Sequence, residues 1–322
     1  MTKQQYDTYQ YFDFDIVEYQ KVLHSRVNEK IDAIRESDAS GIEKEEEIRK
    51  LTVRRKDENR SLLKKHGFHL HFVDGLYIPL NPSWERIAVN LSGGADSAVL
   101  TSILANIIQE NNYNITIDLI THNRGWRARP WQMPISKIVY NKLKDIWGDT
   151  IGVQNTNFIP PELEHGAIGY IIHEPKQRSG DQVIVEKYNE YIAYENNYQA
   201  IFTAITKNAD LDIAPEDRMQ NRDVDIQKAD IHDLAICKTH FWELHPFKYI
   251  EKDWVIKQYK NMDLLDLLKL TRSCEGDGSN MQGPLAGKDA FWYNKDKNVE
   301  ECGLCYWCKE KAWALEENGI EL

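Results

Sequence analysis

Residues 87–100 read IAVNLSGGADSAVL, and this stretch decides the fold. Its apolar start predicts a short buried strand, and the apolar pattern after Ala95 predicts a helix that runs to about Glu110. Gly93 and Gly94 lie between the two elements and allow a tight turn in which an anion can approach the backbone. Because the first N–H groups of a helix have no partner within it, the stretch predicts a phosphate-binding loop.

The candidate phosphate-binding residues are consecutive in the chain: Leu91, Ser92, Gly93, Gly94, Ala95, Asp96 and Ser97. The serine hydroxyls can donate to phosphate oxygens, and the Asp96 carboxylate can hold Mg²⁺. We therefore expect Asp96 and Ser97 to be catalytic. No lysine follows the glycines, so the loop differs from GxxxxGK(S/T), and its glycine spacing also differs from GxGxxG.

Strands and helices alternate beyond this loop, which predicts a parallel sheet with right-handed crossovers. Further strands are predicted at 115–121, 151–153 and 200–206, with helices at 133–147 and 183–196. Ligands of such sheets bind beyond the carboxyl ends of the strands. The loops that follow these strands should therefore share one crevice.

Three polar residues follow the predicted strands at the mouth of this crevice. Arg124 could bind a phosphate or a carboxylate through two parallel hydrogen bonds, or it could equally face solvent. Lys207 could neutralise a pyrophosphate, and we expect it to be catalytic. His122 could act as a general base, although a structural hydrogen bond is the more frequent role of such a histidine.

Four of the five cysteines lie near the C-terminus. Cys302, Cys305 and Cys308 are separated by two residues each, and Cys274 comes from a distant loop. Four thiolates at about 2.3 Å around one ion form a closed zinc site, which predicts a folding role and no catalysis. An iron–sulfur cluster is the alternative, since it also binds four cysteines. Cys237 stands apart and is expected to be a buried apolar thiol.

The first 85 residues are rich in charge, with apolar residues at helical spacing. They predict two or three amphipathic helices that break near Ser40 and Gly41. We expect a helical extension that packs on the core, on a second copy of the chain or on a protein partner. His69 and His71, just beyond, could share a strand face and bind a metal, but ordinary histidines on a half-buried strand are favoured.

The chain has 322 residues and a formal net charge of −11. This acidic balance argues against a broad nucleic-acid interface. No apolar stretch approaches the roughly 20 residues that span a bilayer, and the first residues contain no secretory h-region. We therefore expect a cytoplasmic protein without a membrane partner, divided into parts at 1–85, 86–240 and 241–322. The polar stretch 207–240 is expected to be a long loop or lid.

Three motifs together resemble the 7-cyano-7-deazaguanine synthase family of the N-type ATP pyrophosphatases (PP-loop enzymes). They are LSGGADS at 91–97, TRSC at 271–274 and CGLCYWC at 302–308. The resemblance implies an α/β fold with a five-stranded parallel Rossmann-like sheet of the adenine nucleotide alpha hydrolase-like type. Helices would cover both faces, with a helical N-terminal extension and a C-terminal zinc-binding subdomain.

The same resemblance implies a carbon–nitrogen ligase that uses ATP, Mg²⁺ and Zn²⁺. Its substrate would be a carboxylated deazaguanine, which is adenylated, attacked by ammonia and converted to a nitrile. Two alternatives share the loop: a tRNA-modifying sulfurtransferase and an ATP-binding module that acts through a protein partner. If the loop carries the chemistry, Asp96→Ala should abolish ATP turnover, and from the sequence alone we expect the fold to stay intact.

Overall fold

The computed structural model describes most of the chain: residues 28–37, 40–123, 131–158, 180–209, 235–238, 240–274, 301, 303 and 305–322. Arg124 and Cys302 lie outside these residues, as does most of the predicted lid. Among the helices that are described, none is both long and apolar enough to cross a membrane.

Strands and helices alternate along the chain from residue 86 to residue 202, and further helices and strands precede and follow this stretch. The described helices are α1 (28–36), α2 (Gly41–Lys65), α3 (Ala95–Glu110), α4 (Gln132–Trp147), α5 (Gly180–Asn196), α6 (Lys252–Asn261), α7 (Leu265–Leu270) and α8 (Tyr306–Glu317). The described strands are β1 (His69–Val73), β2 (Leu76–Leu80), β3 (Arg86–Asn90), β4 (Thr116–Asn123), β5 (Ile151–Phe158), β6 (Ala200–Phe202), β7 (Ala235–Cys237) and β8 (Trp242–Leu244).

Six strands form the main sheet in the order β5-β4-β3-β6-β8-β7. The first five are parallel, which confirms the predicted five-stranded parallel sheet, and β7 pairs antiparallel with β8 at the edge. The sequence predicted a loop where β7 lies, because a three-residue strand is too short to produce a periodic signal. The strand order reverses between β3 and β6, and ligands bind at such a switch point.

Apolar side chains alternate along each strand and cover both faces of the sheet. On β3, Ile87 and Val89 belong to the main core, which also contains apolar residues of α3, α4 and α6. Ala88 points the other way, into a smaller core with Ile192 and Ala193 of α5. Helices therefore lie on both faces, as predicted.

A buried carboxylate fixes the register between β4 and β5. Asp118 accepts hydrogen bonds from Tyr198 at 2.8 Å and from the Val153 N–H at 2.8 Å, and it pairs with Arg86 at 2.7 Å. A Cβ on Gly152 would lie 1.9 Å from the Asp118 carboxylate. The pairing shifts register at this point, so the bulge needs both the glycine and the acid.

The N-terminal region contains the predicted helix break and a hairpin that was not predicted in full. Ser40 and Glu43 bond to each other's backbone N–H, a capping box that begins α2 directly after the break. β1 and β2 form an antiparallel hairpin through Asp74 and Gly75, both with positive φ. The Phe68 ring lies 5.0 Å edge-on from Trp242 of β8, which ties this region to the main sheet.

One apolar core contains residues from all three predicted parts of the chain. Leu63 of α2, Leu100 of α3 and Leu267 of α7 belong to the same buried cluster. β8 also lies beyond residue 240 and completes the parallel sheet. The core is therefore continuous across residues 85 and 240, and the division of the chain into domains stays a prediction.

Candidate active site

The phosphate loop, residues 91–97, lies at the carboxyl end of β3. The Leu91 N–H still donates to the Ile120 carbonyl at 2.7 Å, so the sheet holds the start of the loop. Gly93 then turns the chain with φ +80, and a Cβ there would lie 3.0 Å from the Ser136 nitrogen of α4. Both the conformation and the close approach of α4 require glycine at this position.

The two serines close the loop through hydrogen bonds within it. Ser97 Oγ accepts from the Ser92 N–H and donates to the Gly94 carbonyl, both at 3.2 Å, and Ser92 Oγ accepts from the Gly94 N–H at 3.2 Å. The Gly94 N–H, expected as a phosphate donor, is thus bonded to a hydroxyl that a phosphate oxygen could replace. The N–H groups of Ala95 and Asp96 begin α3, where no acceptor within the helix is available to them.

Asp96 is held by a buried lysine that sequence reasoning missed. Lys252 Nζ lies 2.7 Å from one oxygen of the Asp96 carboxylate and 2.6 Å from the other. The Lys252 side chain is only 2% exposed, whereas the Asp96 side chain is 25% exposed. The lysine therefore fixes the carboxylate from the buried side, and a quarter of the Asp96 side chain remains exposed.

The sequence contained a signal for this lysine. Lys252, Val255, Ile256 and Tyr259 recur at helical spacing, which places the lysine on the apolar face of α6, where a charge needs a partner. Tyr259 lies two turns along and donates to the Ala95 carbonyl at 2.6 Å. Burial, with the nearby Asp96 charge, raises the pKa of Tyr259 well above its ordinary value, so the phenol remains a donor.

Lys207 lies next to the same helix but is bonded to a different acid. Its ammonium pairs with Glu251, and its N–H donates to the Ile250 carbonyl at 2.9 Å. Because Glu251 precedes Lys252 in the chain, the start of α6 contacts both Lys207 and Asp96. To neutralise a pyrophosphate, the Lys207 ammonium would have to share or leave Glu251.

His122 lies in a layer of uncharged amides at the carboxyl ends of the strands. Its Nε2 lies 3.3 Å from the Asn90 amide oxygen and 3.1 Å from that of Asn189, and its Nδ1 lies 3.1 Å from the Asn157 amide nitrogen. A neutral ring with the proton on Nε2 fits all three partners. The arrangement favours the structural role over that of a general base.

Asp96 is the carboxylate within the loop that could hold the predicted Mg²⁺. Enzymes commonly bind Mg²⁺ through one or two carboxylates together with substrate phosphates and water. The loop therefore fits an ion that is held mainly by the phosphates of a bound nucleotide.

Three of the four predicted zinc ligands converge on one point. The Cys305 sulfur lies 4.0 Å from that of Cys274 and 3.5 Å from that of Cys308, and all three sulfurs lie within 4.8 Å of one another. Sulfurs bound to one tetrahedral zinc ion are about 3.8 Å apart. The donor set therefore fits a single ion. Cys302, the fourth predicted ligand, lies outside the described residues.

The cysteine side chains lie close together and are largely buried, and neighbouring residues hold their segments in place. The hydrogen bond with Cys274 and the burial of the group raise the pKa of Cys305 to about 12, so a bound cation would be needed to hold several thiolates together. Glu301 accepts from the Ser273 N–H at 2.8 Å and from Lys311 at 3.1 Å, which joins the segment 271–274 to α8.

The structure brings the phosphate loop and the cysteine group together, although the sequence assigned them to separate parts. The Arg272 N–H donates to the Gly93 carbonyl at 2.9 Å, two residues before Cys274. The sequence could not reveal this contact, because it joins positions almost 180 residues apart.

Comparisons with known proteins assign the chain to no family. No family model matches the chain, and no curated protein matches it. Solved structures with a detectable likeness include the U34-tRNA thiolase NcsA from Methanococcus maripaludis with its 4Fe-4S cluster, at 16% identity over 73% of this chain and 72% of that chain, with a TM-score of 0.36. They also include the NAD+ synthetase from Burkholderia pseudomallei, at 11% identity over 92% and 94%, with a TM-score of 0.31.

Proposed function

We propose that this protein is an ATP-dependent ligase of the PP-loop type that adenylates a carboxylate and releases pyrophosphate. The observation that carries this proposal is the geometry at the switch point of the sheet. There, the glycine loop meets the start of α3, and a buried Lys252 orients Asp96. Phosphate binding at such a helix start and ligand binding at such a switch point are general properties of α/β folds.

The reaction needs positioning and charge stabilisation, but no protein nucleophile. A carboxylate oxygen attacks the α-phosphorus of ATP, the bond to the β-phosphate oxygen breaks, and pyrophosphate leaves. Ammonia then attacks the acyl carbon, AMP leaves and the nitrogen loses a proton. Backbone N–H groups at Gly94 and Ala95 stabilise charge on the phosphate oxygens, and Asp96 and Ser97 orient the triphosphate. Mg²⁺ would supply further neutralisation.

Lys207 would act on the leaving group. Its ammonium already lies beside the start of α6, where it pairs with Glu251. Movement from Glu251 toward a pyrophosphate would neutralise the charge that develops as the phosphate bond breaks. Arg124 is proposed as a second phosphate contact from the loop after β4.

We infer that the acceptor is a carboxylated deazaguanine and that the product is its nitrile. The nitrile requires a second ATP: the amide oxygen attacks its α-phosphorus and pyrophosphate leaves, and AMP then leaves with that oxygen while the nitrogen loses its two protons. The resemblance of the three motifs supports this substrate. The amide layer around His122 at the strand ends also offers hydrogen-bonding groups without net charge, which suits a neutral heteroaromatic ring. The enzyme would work in the cytoplasm, with ammonia as the nitrogen source.

The cysteine group is proposed to hold zinc in a folding role. The separations of 3.5 and 4.0 Å between the cysteine sulfurs support a single ion. In a 4Fe-4S cluster each cysteine binds its own iron, so the cysteine sulfurs lie further apart. Cys302 would complete the set, and a closed set of four thiolates leaves no position for substrate.

A tRNA sulfurtransferase remains the second candidate, because the cysteine group lies beside the phosphate loop.

Incubation with ATP, Mg²⁺, ammonium and 7-carboxy-7-deazaguanine, followed by mass spectrometry, tests the leading proposal. The expected result is the amide or nitrile, and no product with the charge-balanced variant Asp96→Asn/Lys252→Met. Thiolated nucleosides after incubation with tRNA and sulfide would instead identify a sulfurtransferase. Nucleotide binding without any turnover would identify a module that acts through a partner.

The role of the N-terminal helices stays a prediction. α2 packs on the core through Leu63, and the exposed residues of α1 and α2 would bind a second copy of the chain or a protein partner. Light scattering on the purified chain would show a dimer if the first alternative holds, and a monomer would exclude a stable homodimer.

A further inference from the structure

Arg272 connects the phosphate loop to the cysteine group through its backbone. Its N–H donates to the Gly93 carbonyl at 2.9 Å, and its own carbonyl lies 3.5 Å from where a Cβ on Gly94 would be. Cys274 follows two residues later and is 1% exposed. A shift of Cys274 would therefore be transmitted to the peptide that holds both loop glycines.

Trp131 forms a second connection through side chains. The Arg272 guanidinium lies over the Trp131 ring, 4.3 Å from its centroid. The same indole is 2% exposed and packs against Cys274 and Cys308. One turn further along α4, the Ser136 nitrogen would lie 3.0 Å from a Cβ on Gly93. The loop and the cysteines thus share two neighbours, the 271–274 segment and the start of α4.

Close packing leaves this region little freedom to absorb a displacement. Interiors are packed at the density of crystals, so they pass shifts on to their neighbours. A metal ion would fix the three sulfurs at one separation and so fix Cys274, Arg272 and the Gly93 carbonyl. Without the ion, the same loop would have to be ordered by the nucleotide, which weakens nucleotide binding.

We propose that occupancy of the cysteine site and occupancy of the phosphate loop are thermodynamically coupled, with Arg272 and Trp131 as positioning residues. This inference rests on the proposed function, since it requires nucleotide at the loop and metal at the cysteines. The coupling is positive: each ligand raises the affinity for the other by the same factor, of about tenfold.

The first test measures the Kd of a non-hydrolysable ATP analogue by calorimetry, on zinc-loaded and on chelator-treated full-length protein. The expected result is binding about ten times weaker without zinc. Equal Kd values in the two states would overturn the coupling and leave the proposed function standing. Failure to bind in either state would overturn both.

The reverse measurement does not require stable metal-free protein. A fluorescent chelator competes for zinc with and without the ATP analogue, and zinc affinity should rise by the same factor when the analogue is bound. An unchanged zinc affinity would contradict the coupling, even if chelator-treated protein proves to be unfolded.

The variant Trp131→Leu separates positioning from simple stability, because it keeps all cysteines and all loop residues. Both ligands should still bind, but the coupling factor should fall to about twofold or less. Tyr77→Leu is the matched control, since Tyr77 lies under Arg60 at 4.6 Å in the β1–β2 hairpin and should keep the full factor. A full factor in Trp131→Leu would exclude the positioning role of the indole.

Discussion

The ammonium of Lys252 lies 2.6 and 2.7 Å from the two carboxylate oxygens of Asp96 and joins α6 to the first turn of α3. This pair changes the expectation for Asp96→Ala. The sequence suggested that this variant would lose turnover and keep its fold, whereas the structure shows that it would leave a buried ammonium without its partner. Loss of activity in that single variant would therefore not distinguish catalysis from stability.

A double-mutant cycle separates these two effects. Asp96→Asn should lower the free energy of unfolding by on the order of 3 kcal/mol, because Lys252 stays buried and loses its counter-ion. Asp96→Asn/Lys252→Met should recover most of that loss and remain inactive. Urea unfolding measures both values and that of Lys252→Met, the single variant that completes the cycle. Removal of the exposed pair of Lys269 with Asp266 should cost less than about 1 kcal/mol. If the changes in the free energy of unfolding of the two single variants simply add up in the double variant, Asp96 and Lys252 are not a coupled pair.

Gly93→Ala tests the shape of the loop. The left-handed conformation alone should cost about 1–2 kcal/mol, and the collision with α4 should add to that and abolish nucleotide binding. Gly75→Ala is the control, because Gly75 has φ +89 but open space around it. Thermal unfolding should show a larger loss for Gly93→Ala. Equal losses would mean that α4 does not restrict the loop.

The cysteine group should bind one metal ion per chain. Cys305→Ser should lose zinc, as measured by elemental analysis, and lower the unfolding temperature, since structural zinc contributes folding free energy. Cys237→Ser, in β7, should retain the metal. A native protein that contains iron and sulfide instead of zinc would refute the zinc assignment and favour the cluster.

Glu243 should make stability depend on acid pH. Burial opposes its ionisation, but the hydrogen bond and charge of His245, together with Lys238, lower the pKa of Glu243 to about 2 from its ordinary 4.5. A lowered pKa stabilises the fold above about pH 4.5, and this contribution is lost as the pH falls toward 2. At about 1.4 kcal/mol per pH unit, Glu243→Gln should cost about 3 kcal/mol at about pH 5.

Unfolding titrations of the native chain and of Glu243→Gln at several pH values check this prediction. The difference between the two should shrink below about pH 4.5. A difference that is constant with pH would mean that the carboxylate is not stabilised by its ionisation.

The elements that the sequence predicted well carry long apolar patterns. The helix from Ala95 to Glu110 and the strand before it agree with the structure, because their apolar residues recur with the right period and the glycines mark the turn between them. The predicted strand 200–206 ends in fact at Phe202, since the apolar run continues beyond the ladder with β8. β7 has too few residues to leave any pattern.

The sequence predicted the site residues that are close together in the chain. It missed the contacts between positions that are far apart in the chain. The loop residues and the cysteine spacing are visible in consecutive sequence. The partner of Asp96 is 156 residues away, and only the position of Lys252 on an apolar helix face pointed to it. The contact of Arg272 with Gly93 depends on how the 271–274 segment packs, which no local pattern encodes.

The most direct test of adenylation follows one oxygen atom. The carboxylated substrate is labelled with ¹⁸O in its carboxylate and incubated with the protein, ATP, Mg²⁺ and ammonium. The nucleotide products are then separated, and their masses are measured by mass spectrometry. Adenylation predicts AMP that carries one ¹⁸O from the substrate, together with pyrophosphate. Formation of ADP and phosphate, or of AMP without label, would contradict attack of the carboxylate on the α-phosphorus.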